Sequence, residues 1–210
     1  VKSNPYESIL KEADTEGNEM NRGKWLLTVF ILSLTLLGNA PAWSNEDSLQ
    51  KAKELQQEAE QLYQQGRYAE AIPIAERIRA IREKVLGPNH PDTAESLNDL
   101  AVLYRTMGSY DKAEPLYKRS LAIREKALGP EHPDTATSLN NLAELYRTMG
   151  AYDKAEPLFR RSLVIYEKIL GPEHPNTATS LNNLALLYHA MGAYDKVDTL
   201  LRRSLVIHEK

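Results

Sequence analysis

The chain has no cysteine and very few large aromatic residues other than tyrosine. Without cysteine there is no disulfide, no thiolate metal site and no cysteine nucleophile. The two phenylalanines (Phe30, Phe159) and two tryptophans (Trp25, Trp43) leave tyrosine and the aliphatic residues to fill the core. The net charge of −3 over 210 residues also gives no basic field that would attract nucleic acid.

Motifs of cofactor and metal chemistry are missing as well. The sequence contains no glycine-rich phosphate-binding loop, no G-x-G-x-x-G fingerprint and no H-E-x-x-H motif. We therefore expect neither a cofactor nor a metal, and we do not expect residues 1–210 to form an enzyme.

One stretch is strongly apolar. A run of 14 residues from Trp25 to Gly38 follows Arg22 and Lys24, and an A-P-A triplet ending at Ala42 comes next. This three-part layout is typical of a secretory signal peptide, and the run is shorter than the roughly 20 residues that span a bilayer. Residues 20–42 are predicted to be a signal peptide cleaved after Ala42, or else an uncleaved N-terminal anchor. We expect export to the periplasm or the cell exterior.

The segment before this run, residues 1–19, is polar and acidic, unlike the start of a signal peptide. Met20 stands where such a peptide begins. We interpret residues 1–19 as an extension that is not part of the native product.

The remainder of the chain repeats itself every 42 residues. Gly87–Leu128 and Gly129–Leu170 are identical at 32 of 42 positions. A period of 20–50 residues is typical of a solenoid. The predicted plan is a linker and degenerate N-terminal capping repeat (43–86), two full repeats (87–128 and 129–170) and a fourth repeat that stops early (171–210).

Each repeat is predicted to contain two helices. In the third repeat, apolar residues recur at i, i+3, i+4 and i+7, which is one face of a helix: Leu139, Leu142, Ala143 and Tyr146. Gly150 is suited to end that helix in a left-handed conformation. Asp153 is then the expected N-cap of the second helix.

These residues resemble the tetratricopeptide repeat. The matching positions are Leu142, Ala143, Tyr146, Gly150, Tyr152, Ala155 and Phe159. The 42-residue period with "LGPEHP", "LNNLA" and "AEPL" is similar to repeats of the kinesin light chain type. The resemblance implies an all-α, right-handed superhelical solenoid of antiparallel helix pairs, with the first helices lining a concave groove that binds protein segments.

Polar side chains of the first helices are predicted to face that groove, because they point away from the apolar face. The candidate peptide-binding residues are Asn98, Asp99, Arg105, Asn140, Asn141, Glu144, Arg147, Asn182, Asn183 and, as an apolar contact, Leu186. An asparagine amide both donates and accepts hydrogen bonds, and the resemblance implies a backbone clamp at Asn141 and Asn183. Asp99 lacks those donors. The alternative is that the asparagines only bond to the neighbouring helix and hold the stack together. The mixture of acids and arginines predicts no single charge for the partner.

The motif "LGPEHP" places His132 and His174 between repeats, and the near copy "LGPNHP" does the same for His90. Helices pack about 8–10 Å apart, so three such histidines cannot meet at one zinc ion, whose bonds are about 2 Å long. We expect His132 to be structural at a helix start, with Pro133 in the first turn and Gly129 outside the preceding helix.

The predicted function is a scaffold with protein or peptide partners, no nucleic acid, and membrane contact only through residues 20–42. The alternative is the sensing arm of a larger enzyme, such as a caspase-like protease, with its catalytic domain beyond Lys210. No "GPEHP" follows Lys210, which predicts that the natural product continues.

Overall fold

The computed structural model describes residues 44–208. The predicted extension 1–19 and the predicted signal peptide 20–42, with its cleavage site, lie outside the described residues. Residues 44–208 form eight α-helices and no strand. They are α1 (Asn45–Gln64), α2 (Tyr68–Leu86), α3 (Pro91–Thr106), α4 (Tyr110–Ala127), α5 (Pro133–Thr148), α6 (Tyr152–Ile169), α7 (Pro175–Ala190) and α8 (Tyr194–His208).

Three residues join the two helices of each pair, and so short a connection makes them antiparallel neighbours. Between α5 and α6, Gly150 has a φ of 75°, a left-handed conformation that favours glycine. The prediction for Asp153 is wrong, because α6 begins at Tyr152 with Ala151 as its N-cap, which makes no side-chain capping bond. Asp153 instead lies in the first turn, where its carboxylate meets the positive end of the helix dipole.

The joints between pairs confirm the structural role predicted for the histidines. His132 is the N-cap of α5, and its Nδ1 accepts a hydrogen bond of 3.1 Å from the backbone N–H of Asp134. Pro133 is the first helical residue, and Gly129 leaves α4 with a φ of 100°. The same capping bond forms at the starts of α3 and α7. Each connection between helix pairs therefore ends in the same helix start, with histidine at the N-cap and proline at the first helical position.

The apolar face predicted on α5 is buried as expected. Leu139 and Ala143 are fully buried, and Leu142 and Tyr146 are at most 6% exposed. Residues from α3 through α8 share one hydrophobic cluster, so the core runs through successive repeats. Each fully buried Leu contributes about 1.5–3 kcal/mol, so apolar contacts within and between helix pairs both stabilise the fold.

Side-chain hydrogen bonds of the same kind recur every 42 residues, the period of the sequence repeat. Ser120, Ser162 and Ser204 on the second helices each donate to a backbone carbonyl of the first helix, that of Ala94, Ala136 and Ala178. Tyrosines of α3, α5 and α7 donate to a glutamate of the preceding second helix: Tyr104 to Glu76, Tyr146 to Glu114 and Tyr188 to Glu156. These repeated hydrogen bonds, together with the eight helices, confirm the predicted all-α solenoid of helix pairs.

The first helices of neighbouring repeats also contact one another, α3 with α5 and α5 with α7. We take the surface along α1, α3, α5 and α7 as the inner face of the solenoid and refer to it as the groove. Among residues 44–208, no helix is both long and apolar enough to cross a membrane.

Candidate peptide-binding groove

Asparagine side chains link the first helices along the groove. The Nδ2 group of Asn141 donates to Oδ1 of Asn98 over 2.9 Å, and Nδ2 of Asn183 donates to Oδ1 of Asn140 over 3.2 Å. The second asparagine of each pair therefore bonds to the first residue of the pair one repeat earlier. We call these two bonds the amide ladder.

The amide ladder leaves hydrogen-bonding capacity free. Each amide carries two N–H donors and one carbonyl oxygen, so Asn141 and Asn183 each keep one donor and the oxygen after making their ladder bond. Both side chains are half-buried, whereas Asn98 is only 7% exposed. Asn182 is exposed, and its side chain makes no hydrogen bond within the described residues. The groove thus presents a row of amides, some of which are already held in place.

The arginines predicted for the groove are tied to one carboxylate. Arg147 makes two bonds of 2.7 Å to the oxygens of Glu144, and Nη1 of Arg105 lies 3.5 Å from the same carboxylate. The hydrogen bonds to Glu144 raise the pKa of Arg147 against the effect of burial. This cluster has a net charge of +1 and a fixed geometry, which the sequence did not indicate.

In the last repeat of the described residues, other side chains occupy the arginine and glutamate positions. Leu186 takes the place of Glu144 and is 45% exposed. His189 takes the place of Arg147 and contacts the Tyr194 ring edge-on at 5.4 Å between centroids. The groove is therefore charged at α3 and α5 and more apolar at α7.

Asp99 carries a charge that no cation balances directly. It makes no salt bridge within residues 44–208, although its neighbour Glu95 pairs with Arg82 at 2.8 Å. Its side chain is exposed, yet it lies on the inner face, where protein atoms crowd it. Burial and the Glu95 carboxylate raise the pKa of Asp99 to about 6, against the opposing effects of Asn98, Arg82 and Arg124.

Because the folded-state pKa of Asp99 is raised, the folded protein holds this proton more tightly than the unfolded chain. The resulting stability is present below about pH 4 and is lost as pH rises to about 6. We expect Asp99→Asn to match the wild type below this window and to be more stable above it by about 1 kcal/mol, since solvent screens so exposed a charge. Urea unfolding at pH 4, 5, 6 and 7 measures the difference in unfolding free energy between Asp99→Asn and the wild type. If this difference does not grow with pH, the pKa of Asp99 is not raised in the folded protein.

A cavity of about 370 Å³ lies between α1 and α3. Its back wall is formed by Ala75 and Ile78 of α2, and its lining includes Asp99. Ala75 stands 42 residues before Tyr117, which is fully buried at the same place in the next repeat. The cavity thus forms where an aromatic side chain is missing. Aligning Ala75 with Tyr117 and Phe159 in the sequence could have revealed it.

The residues of the predicted site are therefore brought together in two neighbouring groups. The amide ladder and the Glu144 cluster lie on α3, α5 and α7, and Asp99 lies beside the cavity at α1 and α3. Within residues 44–208, no group of three His, Asp or Glu side chains could hold a metal ion.

Comparisons with known proteins agree with this architecture. The profile of the Tetratricopeptide repeat family matches residues 54–126, 103–168 and 135–210, which together cover well over half of the chain. No curated protein sequence showed a significant match.

Several solved structures have a similar fold. One is a protein from Podosopora anserina, described as a kinesin light chain with nearly identical TPR-like repeats. It is 26% identical to this chain and has a TM-score of 0.57. The match covers 79% of this chain and 89% of that chain. BtubC (BKLC) from P. vanneervenii is 22% identical over 79% of this chain and 74% of that one, with a TM-score of 0.56. Aspartyl phosphate phosphatase F from Bacillus subtilis reaches a TM-score of 0.67 at 15% identity, over 78% and 41% of the two chains. The last two likenesses concern the fold alone.

The 42-residue period, the eight paired helices and the profile match lead to one assignment. The chain belongs to the tetratricopeptide repeat family, with repeats like those of kinesin light chains.

Proposed function

We propose that this chain binds an extended segment of a protein partner along the groove, with the amide ladder holding the partner's backbone. Tetratricopeptide repeats generally serve as non-catalytic scaffolds for protein interaction, which supports the broader role. The amide ladder is the observation that supports the more specific proposal, in which the groove binds the backbone of an extended segment.

The spacing of the ladder suits an extended peptide. Neighbouring helices pack about 8–10 Å apart, and an extended chain rises about 3.3 Å per residue. Amides on successive first helices therefore meet the peptide about every third residue. Each amide can donate to a backbone carbonyl and accept from a backbone N–H, so it contacts the backbone without reading the side chain.

The ladder bonds also lower the entropic cost of binding. Ordering a free side chain at an interface costs about 0.5–1.5 kcal/mol. Asn141 and Asn183 are already held by Asn98 and Asn140 in the free protein. Their side chains therefore lose less conformational entropy when a partner binds. A ladder that only stabilised the stack would not require half-exposed donors.

Two single substitutions separate a peptide clamp from a purely structural ladder. Asn141→Ala and Asn98→Ala break the same bond, but only Asn141→Ala removes a half-exposed amide, since Asn98 is 7% exposed. We expect Asn141→Ala to weaken peptide binding about tenfold, the equivalent of one net hydrogen bond. Asn98→Ala keeps the Asn141 amide and removes only the bond that orders it, so it should weaken binding less than Asn141→Ala does.

The measurement uses the full chain and arrays of acetylated random decapeptides, followed by fluorescence anisotropy on the strongest binders. Urea unfolding of both variants checks that they lose similar stability. Equal peptide affinity for Asn141→Ala and Asn98→Ala would mean that the ladder only holds the helices together, and an absence of binding by the wild-type chain would contradict the groove proposal as a whole.

A further inference from the structure

The cavity between α1 and α3 has a specific origin in the sequence. Tyr117 and Phe159 are fully buried on α4 and α6, and each is followed three residues later by a buried serine. In the first pair of helices the same two positions are Ala75 and Ile78. The small alanine leaves the space open, and the isoleucine gives it an apolar back wall.

The charges around this cavity also differ from those at the next junction. Glu60, Glu95 and Asp99 line it. One repeat later, the equivalent positions are Val102, Thr137 and Asn141, none of which is charged. The groove cation Arg105 has Tyr63 as its counterpart at the cavity. Among the described junctions, this one alone combines an open apolar space with three carboxylates.

Little positive charge compensates these carboxylates. Arg82 pairs with Glu95 at 2.8 Å, while neither Glu60 nor Asp99 makes a salt bridge within residues 44–208. Both of these side chains are exposed. The nearby Arg124 is only 8% exposed and donates to the Asp134 carbonyl and to Ser138. The opening of the cavity therefore presents two carboxylates to solvent, Glu60 and Asp99, that no salt bridge neutralises.

We propose that this cavity binds a lysine or arginine side chain of the partner segment. Such a side chain has an aliphatic stem and a cationic head. Lying lengthwise across the open cavity, it would cover Ala75, Ile78 and Val102 with its stem and bring its head to Asp99 and Glu60 at the rim. A volume of about 370 Å³ is at the lower end of the range for small-molecule sites and leaves room for one long side chain. The inference rests on the proposed function, since the cavity opens on the same groove as the amide ladder.

The test exchanges one residue of a bound peptide. Acetylated decapeptides with a central lysine are arrayed against the full chain, and the strongest binder is remade with norleucine or glutamate at that position. Norleucine keeps the stem and lacks the charge. We expect the lysine peptide to bind at least about tenfold more tightly than the norleucine peptide, as for a charge-assisted hydrogen bond, and the glutamate peptide to bind most weakly.

Two kinds of variant then place the effect in the cavity. Ala75→Tyr with Ile78→Ser restores the pair found at Tyr117 and Ser120 and should abolish the lysine preference. Asp99→Asn with Glu60→Gln leaves the cavity open and should reduce the preference to less than about threefold, which keeps the test valid if the filled variant does not fold by circular dichroism.

The outcomes distinguish this inference from the proposed function. Equal binding of the lysine and norleucine peptides, or a lysine preference that persists after Asp99→Asn with Glu60→Gln, overturns the cavity proposal. If the peptides still depend on Asn141 in that case, the groove proposal stands. If no peptide binds the wild-type chain, both proposals fail together.

Discussion

Replacing Phe159 with alanine is expected to lower the free energy of unfolding by about 3–5 kcal/mol. The phenylalanine is fully buried on α6, in the cluster that runs from α3 to α8. Its removal forfeits the transfer free energy of the ring and leaves a cavity between rigid helices. Because each repeat is stabilised by its neighbours, the loss should extend to the contacts of α6 with α7.

Urea unfolding followed by circular dichroism measures this effect, with Phe159→Leu as the matched control. Leucine also occurs at this position in the last repeat as Leu201, although that side chain is 41% exposed. Leucine keeps most of the apolar contact of the buried ring and should cost about 1 kcal/mol. A loss below about 1 kcal/mol for Phe159→Ala would mean that the helices close the cavity.

Replacing Arg82 with methionine is expected to cost about 2–4 kcal/mol, because a buried guanidinium joins α2 to two other helices. Its Nη1 shares two N–H donors among the Asp92 carbonyl, Ser96 and Glu95, and its Nη2 donates to Gln56. The side chain is 10% exposed. Methionine keeps the apolar volume and removes every donor, which leaves the Glu95 carboxylate and the Gln56 oxygen without this partner.

Two further variants separate charge from geometry at this site. Arg82→Lys keeps the charge, but a point-like ammonium cannot reach four acceptors in the way a planar guanidinium does, so we expect a loss between those of the wild type and Arg82→Met. Adding Glu95→Thr to Arg82→Met should recover only a small part of the stability, because the Glu95 carboxylate is 45% exposed and solvent already screens its charge. Failure of the added threonine to recover stability would assign the loss to the bonds with Asp92, Ser96 and Gln56.

The sequence predicted the repeat and its core faces because burial follows the helical period. Leu139 and Leu142 were identified in this way, and so was the helix start at His132, where a proline follows at the first helical position. The N-cap of α6 was assigned wrongly to Asp153 because aspartate is favoured both at the cap and in the first turn, and residue type alone does not separate the two.

Other features depend on distances between repeats. Sequence reasoning left open whether Asn141 binds a partner or a neighbouring helix, because its bond to Asn98 spans 43 residues and requires two helices to be placed. Ala75 resembles any core alanine until the space between α1 and α3 is known. The signal peptide at residues 20–42 stays a prediction, since it lies outside the described residues.

The imidazoles of His90, His132 and His174 allow the helix starts to be followed by spectroscopy. In each, Nδ1 accepts a backbone N–H, so the proton of the neutral imidazole must be on Nε2. The three rings are thus held in one tautomer by the first turn of the helix that follows. Nitrogen NMR of these imidazoles would report separately whether α3, α5 and α7 have kept their N-terminal turns while the solenoid unfolds.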